Sequence, residues 1–385
     1  MLNNIDLEGV NSCSSCGGCK IICPTNAIDM NIDYEGFFRP SINESKCINC
    51  GLCKKVCYKY YEIKDDKSME ISNASYWAGW SKNPNIRFNS SSGGVTQEIL
   101  IWGLNNGYEI IGCAYNSEKN IVEHIVINNV DDLYKIQGSK YIQSDFSSID
   151  EKIDFNKRYI VVGTPCQIYS INKIVEIKKK RENFIFIDFF CHGTPSYLLW
   201  EEYKKYLMKS GINFISKINF RYKGISWHDY SIRIHDKNKV YSKIKYNDPF
   251  LRIFLSNSIL NQACYSCKFR FNKLNSDIKM GDFWGDEYER NKRGVNLIIS
   301  SSERGNLILK EVSTEVFLEE KSFESIRNSQ YHGEKLTKPY YAEAINNMVK
   351  SRVDLDIIMK KYFSNSFIAR VKRKLLSEIR KRGRL

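Results

Sequence analysis

The spacing of the cysteines between positions 13 and 57 constrains this chain more than any other feature. It reads Cys13-x2-Cys16-x2-Cys19-x3-Cys23-Pro24 and, after a short insert with hairpin character, Cys47-x2-Cys50-x2-Cys53-x3-Cys57. A cubic iron–sulfur cluster needs four thiolates converging on one small object. A loop with two-residue gaps delivers three of them without strain, so each run needs a fourth from elsewhere. Paired C-x2-C elements also build zinc ribbons, but eight cysteines in two identical runs fit that pattern poorly.

Residues 10–60, including Pro24, the Gly17-Gly18 pair and Gly51, resemble the bacterial two-cluster ferredoxin module. In that module the last Cys of each run crosses to the other cluster. The resemblance therefore assigns Cys13, Cys16, Cys19 and Cys57 to one site, and Cys23, Cys47, Cys50 and Cys53 to the second. Tyr58 stands where the module usually has a second Pro. Because Pro supplies no ligand, this departure is expected to redirect the chain's exit and leave ligation intact.

At 385 residues the chain has room for two or three domains, so a further core is expected beyond the cluster module. Thirteen Cys, mostly in cluster-type spacing, point to a reducing compartment and to metal ligation in place of disulfides. Met1 to Glu8 carry no basic or apolar leader pattern, and no stretch reaches the ~18 uninterrupted apolar residues of a membrane span. A cytoplasmic protein is expected. The net charge of +14 is dispersed along the chain, so nucleic acid is not an expected partner. An acidic redox protein or a phosphate-bearing coenzyme would be attracted equally well.

Residues 63–74 are polar and read as a linker. Then Asn89-Ser90-Ser91-Ser92-Gly93-Gly94 precedes an apolar-periodic helix from Val95 that stops at Asn105-Asn106-Gly107. The serines are ordinary cap residues, or the open amides of the helix start receive an anion. Two strands follow, Tyr108 to Tyr115 and Ile121 to Asn128, then a short helix from Val130 to Ile136. The loop Gln137-Gly138-Ser139-Lys140-Tyr141-Ile142-Gln143-Ser144 combines hydroxyls, a cation and an aromatic ring. It suits a phosphorylated planar ligand, and a solvated loop would look similar.

The centre is a strand–turn–helix unit repeated once. Tyr159 to Val162 leads through Gly163-Thr164-Pro165-Cys166-Gln167 to a helix from Ile168 to Ile177. Phe184 to Phe190 leads through Cys191-His192-Gly193-Thr194-Pro195-Ser196 to a helix from Tyr197 to Met208. Parallel pairing is expected, with both turns at the carboxyl ends of strands, where open α/β sheets bind ligands. The runs Ile218–Tyr222, Tyr230–His235 and Val240–Tyr246 read as β structure, Pro249 to Ile259 as a helix, and the chain after Ser301 as largely helical.

Cys166, Cys191, Cys264 and Cys267 number four, the complement of a third cluster. On spacing alone, buried apolar thiols plus a zinc or redox C-x2-C pair would serve as well. Cys113, in the apolar run Ile110 to Ala114, is a core residue.

Taken in order, Ser92-Gly93-Gly94, Gly138 to Ser144, Gly163-Thr164-Pro165-Cys166-Gln167, Cys191-His192-Gly193, Cys264-Tyr265-Ser266-Cys267 and Gly281-Asp282-Phe283-Trp284-Gly285 resemble the β-subunit family of coenzyme F-420 hydrogenases and dehydrogenases. The resemblance covers about residues 75 to 315. It implies FAD and an intrinsic 4Fe-4S cluster held by Cys166, Cys191, Cys264 and Cys267. It also implies flavin contacts from Ser92, Gly93, Gly94, Ser139, Lys140, Tyr141, Gln143, Thr164, Pro165, Gln167, His192, Asp282 and Trp284. No dedicated acid–base pair stands out; His192 and His228 are the candidates, each equally readable as a hydrogen-bonded structural His. Lys140, Arg221 and Lys223 are the cations available to an anionic coenzyme.

The resulting expectation is a mixed α/β or α+β chain. A ferredoxin-like two-cluster domain occupies 1–62, a linker 63–74, a larger mixed-sheet flavin and iron–sulfur domain 75–315, and a helical region 316–385. That last region ends in an amphipathic tail, with Phe367, Ile368, Val371, Leu375, Leu376 and Ile379 on one stripe among eight Lys and Arg. The tail suits an interfacial helix at the inner face of an anionic membrane, a partner surface, or a terminal helix packed by its own apolar side. The expected function is an iron–sulfur flavoprotein oxidoreductase that exchanges electrons between a small hydride carrier and a redox protein. The alternative is a flavin-free electron-transfer subunit of a larger complex.

Overall fold

The computed structural model describes residues 5, 13–60, 69–70, 74–270, 273–329 and 336–364. The cysteine-rich segment is built on one antiparallel hairpin, β1 (Ile28–Ile32) against β2 (Phe38–Ile42), flanked by two helical turns, Gly18–Ile21 and Leu52–Lys55. Among the described residues fourteen further strands follow. They are β3 (Met69–Glu70), β4 (Ser75–Ser81), β5 (Glu109–Asn116), β6 (Ile121–Ile127), β7 (Ser144–Asp145), β8 (Tyr159–Val162), β9 (Phe184–Phe189), β10 (Lys217–Tyr222), β11 (Ser231–His235), β12 (Val240–Ile244), β13 (Lys273–Leu274), β14 (Ile278–Asp282), β15 (Asn296–Ser300) and β16 (Val316–Lys321).

Nine of them form one mixed sheet in the order β16-β4-β15-β14-β9-β8-β5-β6-β7. β5, β8, β9 and β14 run parallel to one another, and the strands outside them are mostly antiparallel. Central strands covered on both faces carry continuous apolar runs, and β9 and β15 are accordingly buried from Phe184 to Asp188 and from Asn296 to Ser300. Alternate side chains divide between two cores. Ile110, Ile160 and Ile185 meet the helices Val95–Asn105 and Glu303–Glu311, while Ile111, Val161 and Phe186 meet the helix Pro165–Ile177. Ile21, Ile22 and Val56 of the cysteine-rich segment complete that second core. The small domain is thus docked on the sheet, and hydrogen bonds donated by backbone amides reinforce it: Phe38 N–H donates to the Gln143 side-chain Oε1 at 2.9 Å and Tyr197 N–H to the Gly36 carbonyl at 2.8 Å. A third core lies under the three-stranded sheet β10-β11-β12 and the helices Tyr197–Lys209, Ala342–Lys350 and Leu355–Tyr362.

Four expectations change. The helix after β8 starts at Pro165, with Thr164 as N-cap and Gln167 Oε1 accepting the Thr164 N–H at 2.9 Å, so Pro165, Cys166 and Gln167 lie in a first helical turn. The helix from Pro249 ends at Leu255, short of Ile259. Residues 316–321, placed in a helical region, form the edge strand β16 paired with β4, so the sheet outruns the expected boundary at 315. Within the expected linker, β3 pairs with β13. The amphipathic stripe from Phe367 lies outside the described residues, and Phe363 packs into the third core.

One buried network in that third core yields a pH prediction. Asp248 is fully buried and accepts from Leu251 N–H, Tyr203 Oη and Tyr241 Oη at 2.9, 2.7 and 2.8 Å. Burial nevertheless pushes its carboxyl up to about 6. A carboxyl raised in the folded state binds its proton there first, so its contribution is fully present below the ordinary 3.8 and is lost as pH rises through about 6. The stability of wild type relative to Asp248→Asn should therefore fall by on the order of 2–3 kcal/mol between pH 4 and pH 7. Urea unfolding of both proteins across that range checks it; a pH-independent difference would show that Asp248 stays ionised throughout.

Candidate functional site

The two cysteine loops share one backbone shape. Ser15 and Gly17 in the first, and Asn49 and Gly51 in the second, take φ of 60°, 77°, 54° and 75°, bracketing Cys16 and Cys50. Left-handed residues alternating with ordinary ones turn successive amides inward, a concave nest found at iron–sulfur sites. Ser15 N–H donates to Cys13 Sγ and Ala27 N–H to Cys23 Sγ, each at 3.3 Å.

The fourth cysteine of each run faces the other run. A cavity with about 340 Å³ of atom-free space, part of it open to solvent, is lined by Cys23, Cys47, Cys50 and Cys53 with Ile28, Ile42 and Leu52 around them. Burial, and then the neighbouring Cys16 and Cys13, push Cys57 up to about 12. Cys19 is raised well above its usual range by burial and by Cys16, Cys13 and Cys57. Cys53 also acts on Cys19, so the two sets adjoin. Cys50 is exposed, whereas Cys19 is buried.

The remaining four thiols come together from three parts of the chain. Cys166 lies in the first turn after β8, Cys191 two residues beyond β9, and Cys264 and Cys267 at the short helix Gln262–Tyr265. Burial pushes Cys191 up to about 12, with Cys264 and Cys267 adding to the rise. Cys166 is raised well above its usual range by burial and by Cys16, Cys191 and Cys267. Thr164 Oγ1 lies 3.2 Å from Cys166 Sγ and Thr194 Oγ1 3.7 Å from Cys264 Sγ. Cys113 stays apart, in the third core, as the sequence indicated.

Among the described residues no three His, Cys, Asp or Glu side chains close to the spacing of one bound ion. The thiol sets fit a larger charged object. Bound as thiolates, these sulfurs would hold a cluster, and the amides of Ser15 and Ala27 would remain as donors to the Cys13 and Cys23 sulfurs.

The expected flavin contacts divide into two groups. Asp282 forms a buried ion pair with Arg221 at 2.5 Å and accepts from Trp227 Nε1 at 2.8 Å, and Trp227 stacks on Trp284 with centroids 4.4 Å apart. The Arg221 guanidinium lies 4.7 Å from the Tyr230 ring and 5.6 Å from the Trp284 ring. It is 6% exposed, yet its Nε and Nη2 have no hydrogen-bond partner among the described residues. Tyr141 lies beside Arg221 and Tyr230 and stacks on Phe254 at 4.9 Å; Phe254 in turn faces His192 at 4.9 Å, next to Cys191. Burial pushes the His192 imidazole down to about 4, and its Nε2 lacks a partner among the described residues. An aromatic run therefore leads from Arg221 to the third thiol set.

The other group is absorbed by the fold. Gly94 is the left-handed N-cap of the helix from Val95, and Asn296 Oδ1, in place of a serine, accepts the Val95 N–H at 3.1 Å. A Cβ on Gly93 would sit 2.4 Å from the Gly79 carbonyl oxygen, and Ser92 Oγ donates to the Val295 carbonyl at 2.7 Å. Ser91 Oγ accepts the Ser139 N–H at 2.7 Å, joining the two expected ligand loops. Lys140 Nζ donates to the Gln137 and Gly138 carbonyls at 3.0 Å each, and Lys223 Nζ to the carbonyls of Arg87, Ser92 and Arg293 at 2.5–2.7 Å. Burial, then Arg221 and Arg87, push Lys223 down to about 7. Gln143 Oε1 and Gln167 Nε2 bind Phe38 N–H and Ser144 Oγ. His228 Nε2 lies 3.2 Å from the Tyr288 carbonyl oxygen, a structural contact at the edge of the Trp227–Trp284 stack. Tyr230, Trp227 and Phe254 escaped the sequence reading because nothing in their local pattern separates them from ordinary core aromatics.

Comparison with known proteins agrees with this division of the chain. A 4Fe-4S dicluster domain model matches residues 12–59. The N-terminal and C-terminal models of the coenzyme F-420 hydrogenase/dehydrogenase β subunit match residues 76–149 and 156–326. The chain is 28% identical over 175 residues to the coenzyme F-420-dependent sulfite reductase of Methanocaldococcus jannaschii, a match covering 45% of this chain and 26% of that protein. An uncharacterised protein of the same organism is 23% identical over 311 residues, covering 71% of this chain and 80% of its own. A chain of the F-420-reducing NiFe hydrogenase complex from Methanosarcina barkeri superposes with a TM-score of 0.48 at 13% identity, over 78% of this chain and 96% of that one. Among the described residues no helix is long and apolar enough to cross a membrane. With both halves of the β-subunit pattern matched in order behind the dicluster motif, the chain belongs to the coenzyme F-420 hydrogenase/dehydrogenase β-subunit family of iron–sulfur redox proteins and carries a 4Fe-4S dicluster domain at its N-terminal side.

Proposed function

We propose that the chain is an iron–sulfur flavoprotein oxidoreductase that moves electrons between a two-electron hydride carrier and a redox protein partner. The observation that carries this reading is the continuity of the sites. The aromatic run from Arg221 ends at His192 beside Cys191, Cys166 lies near enough to Cys16 for the two to interact, and Cys19 and Cys53 share one apolar cluster next to the exposed Cys50. Bound along this line, a flavin exchanges an electron pair with a hydride carrier and clusters pass single electrons, a conversion that one-electron centres alone cannot make. The protein's part is to hold the thiols, exclude water from the inner two sets and offer Arg221 to an anionic group of the flavin or the carrier. Coenzyme F-420, which is anionic, is the first carrier to test, alongside nicotinamides.

One observation favours a second reading, a flavin-free electron-transfer subunit. Lys140, Lys223, Gly93 and Gly94 are already used by the fold. Anaerobic purification followed by metal and flavin analysis separates the two. About twelve iron atoms with ~one FAD supports the flavoprotein, about eight without flavin supports the subunit, and zinc in place of iron removes both.

A further inference from the structure

Tyr58, the residue that departs from the dicluster pattern, occupies the seam between two thiol sets. It follows Cys57 directly and is 2% exposed. Its ring packs edge-on against Phe269 and Tyr169, at 5.0 and 6.3 Å, in an apolar cluster that also takes in Cys166 and Cys267. Its phenol is close enough to Cys166, Cys267 and Cys16 for each to act on it, and Ser14, in the Cys13–Cys16 loop, hydrogen-bonds to it. Lys59 Nζ covers the ring at 5.0 Å. A Pro here would be too small to bridge the seam.

We propose that Tyr58 is a shared wall, one side chain that keeps water from both the Cys13/Cys16/Cys19/Cys57 site and the Cys166/Cys191/Cys264/Cys267 site and fixes the spacing across which electrons pass between them. This rests on the reading that both sets hold clusters. In each passage one electron leaves one site and reduces the other; Tyr58 itself is neither oxidised nor deprotonated. Solvent exposure is one of the quantities that set a cluster's potential. The reduced form carries the additional negative charge, which water solvates better than an apolar wall does. Opening the wall therefore raises the potentials on both of its sides.

The test is an anaerobic redox titration followed by electron paramagnetic resonance on the full chain, as wild type, Tyr58→Phe, Tyr58→Leu and Tyr58→Ala. Ala should move the two flanking sites in the positive direction together, by about tenfold in the reduction equilibrium, which is ~59 mV for a one-electron step. The Cys23/Cys47/Cys50/Cys53 site should stay where it is, and Phe, which keeps the ring, should leave all three unchanged. A residue that only stabilised the fold would lower the melting temperature without this paired shift. If the Ala protein loses iron, Leu decides, with a smaller shift of the same sign at both sites. Twelve iron atoms with one flanking site or neither shifted overturns the shared wall. Eight iron atoms in the wild type overturns the three-site reading itself, and the wall with it, before any variant is made.

Discussion

Cys50→Ser is expected to cut electron delivery to a protein acceptor by at least about 100-fold, beyond the 10–100-fold that losing an outer-shell partner of a metal site costs, and, on the flavoprotein reading proposed above, to leave the flavin bound and reducible. Cys50 is the exposed cysteine of the set, on a cavity rim where Ile48 is also open to solvent. The inner sets do not depend on it: Cys57 sits with Cys13 and Cys16, and Cys166 with Cys191 and Cys267. With the third thiol set occupied as proposed above, about eight of twelve iron atoms should remain. Flavin bleaching by the hydride donor, followed in parallel with reduction of a ferredoxin-type acceptor, reads the two functions separately. Loss of flavin along with acceptor reduction would show that the chain is not modular. Undiminished acceptor reduction would place the outlet elsewhere.

The modular layout was readable early because ligand spacing is a local property. The two-residue gaps lie within a few residues of each thiol and mark both cysteine runs in the sequence, whereas the left-handed backbone at Ser15, Gly17, Asn49 and Gly51 is seen only in the structure. The repeated strand–turn–helix unit was equally local, and β8 and β9 pair in parallel as expected. What stayed hidden depends on distant partners. β16 reads as part of a helical tail until β4, more than 230 residues away, offers an edge. The serines before Val95 look like caps, yet Asn296, 201 residues on, takes that role. Lys140, Lys223 and Arg221 are indistinguishable as sequence cations. Only the fold ties two of them to backbone carbonyls and leaves the third, paired with Asp282, with two donors that have no partner among the described residues. Tyr58 likewise packs against Phe269 and Tyr169, partners far along the chain that its own sequence neighbours do not reveal.

That difference among the cations sets the second large prediction. Arg221→Met should weaken binding of the flavin, or of an anionic hydride carrier, roughly a hundredfold, while iron content stays that of the wild type. Each hydrogen bond from a buried charged donor to an anion contributes about 1.5–3 kcal/mol, and Arg221 has two donors, Nε and Nη2, with no partner among the described residues. A loss of about 3 kcal/mol corresponds to that factor. Met keeps much of the apolar stem between the Tyr230 and Trp284 rings and Trp227 Nε1 still donates to Asp282, but the buried Asp282 carboxylate loses its ion-pair partner, so the melting temperature is measured alongside binding. Arg221→Lys restores the charge without the planar fork and should recover only part of the affinity. Flavin fluorescence titration and donor-dependent flavin reduction distinguish the two possible ligands. If both stay at wild-type strength in the Met protein, the free donors are structural and the aromatic run from Arg221 to Cys191 does not begin at a ligand. If flavin affinity alone falls, Arg221 holds the flavin. If only the hydride carrier's KM rises, the guanidinium selects the carrier, and its charge tells an anionic deazaflavin from a neutral dye.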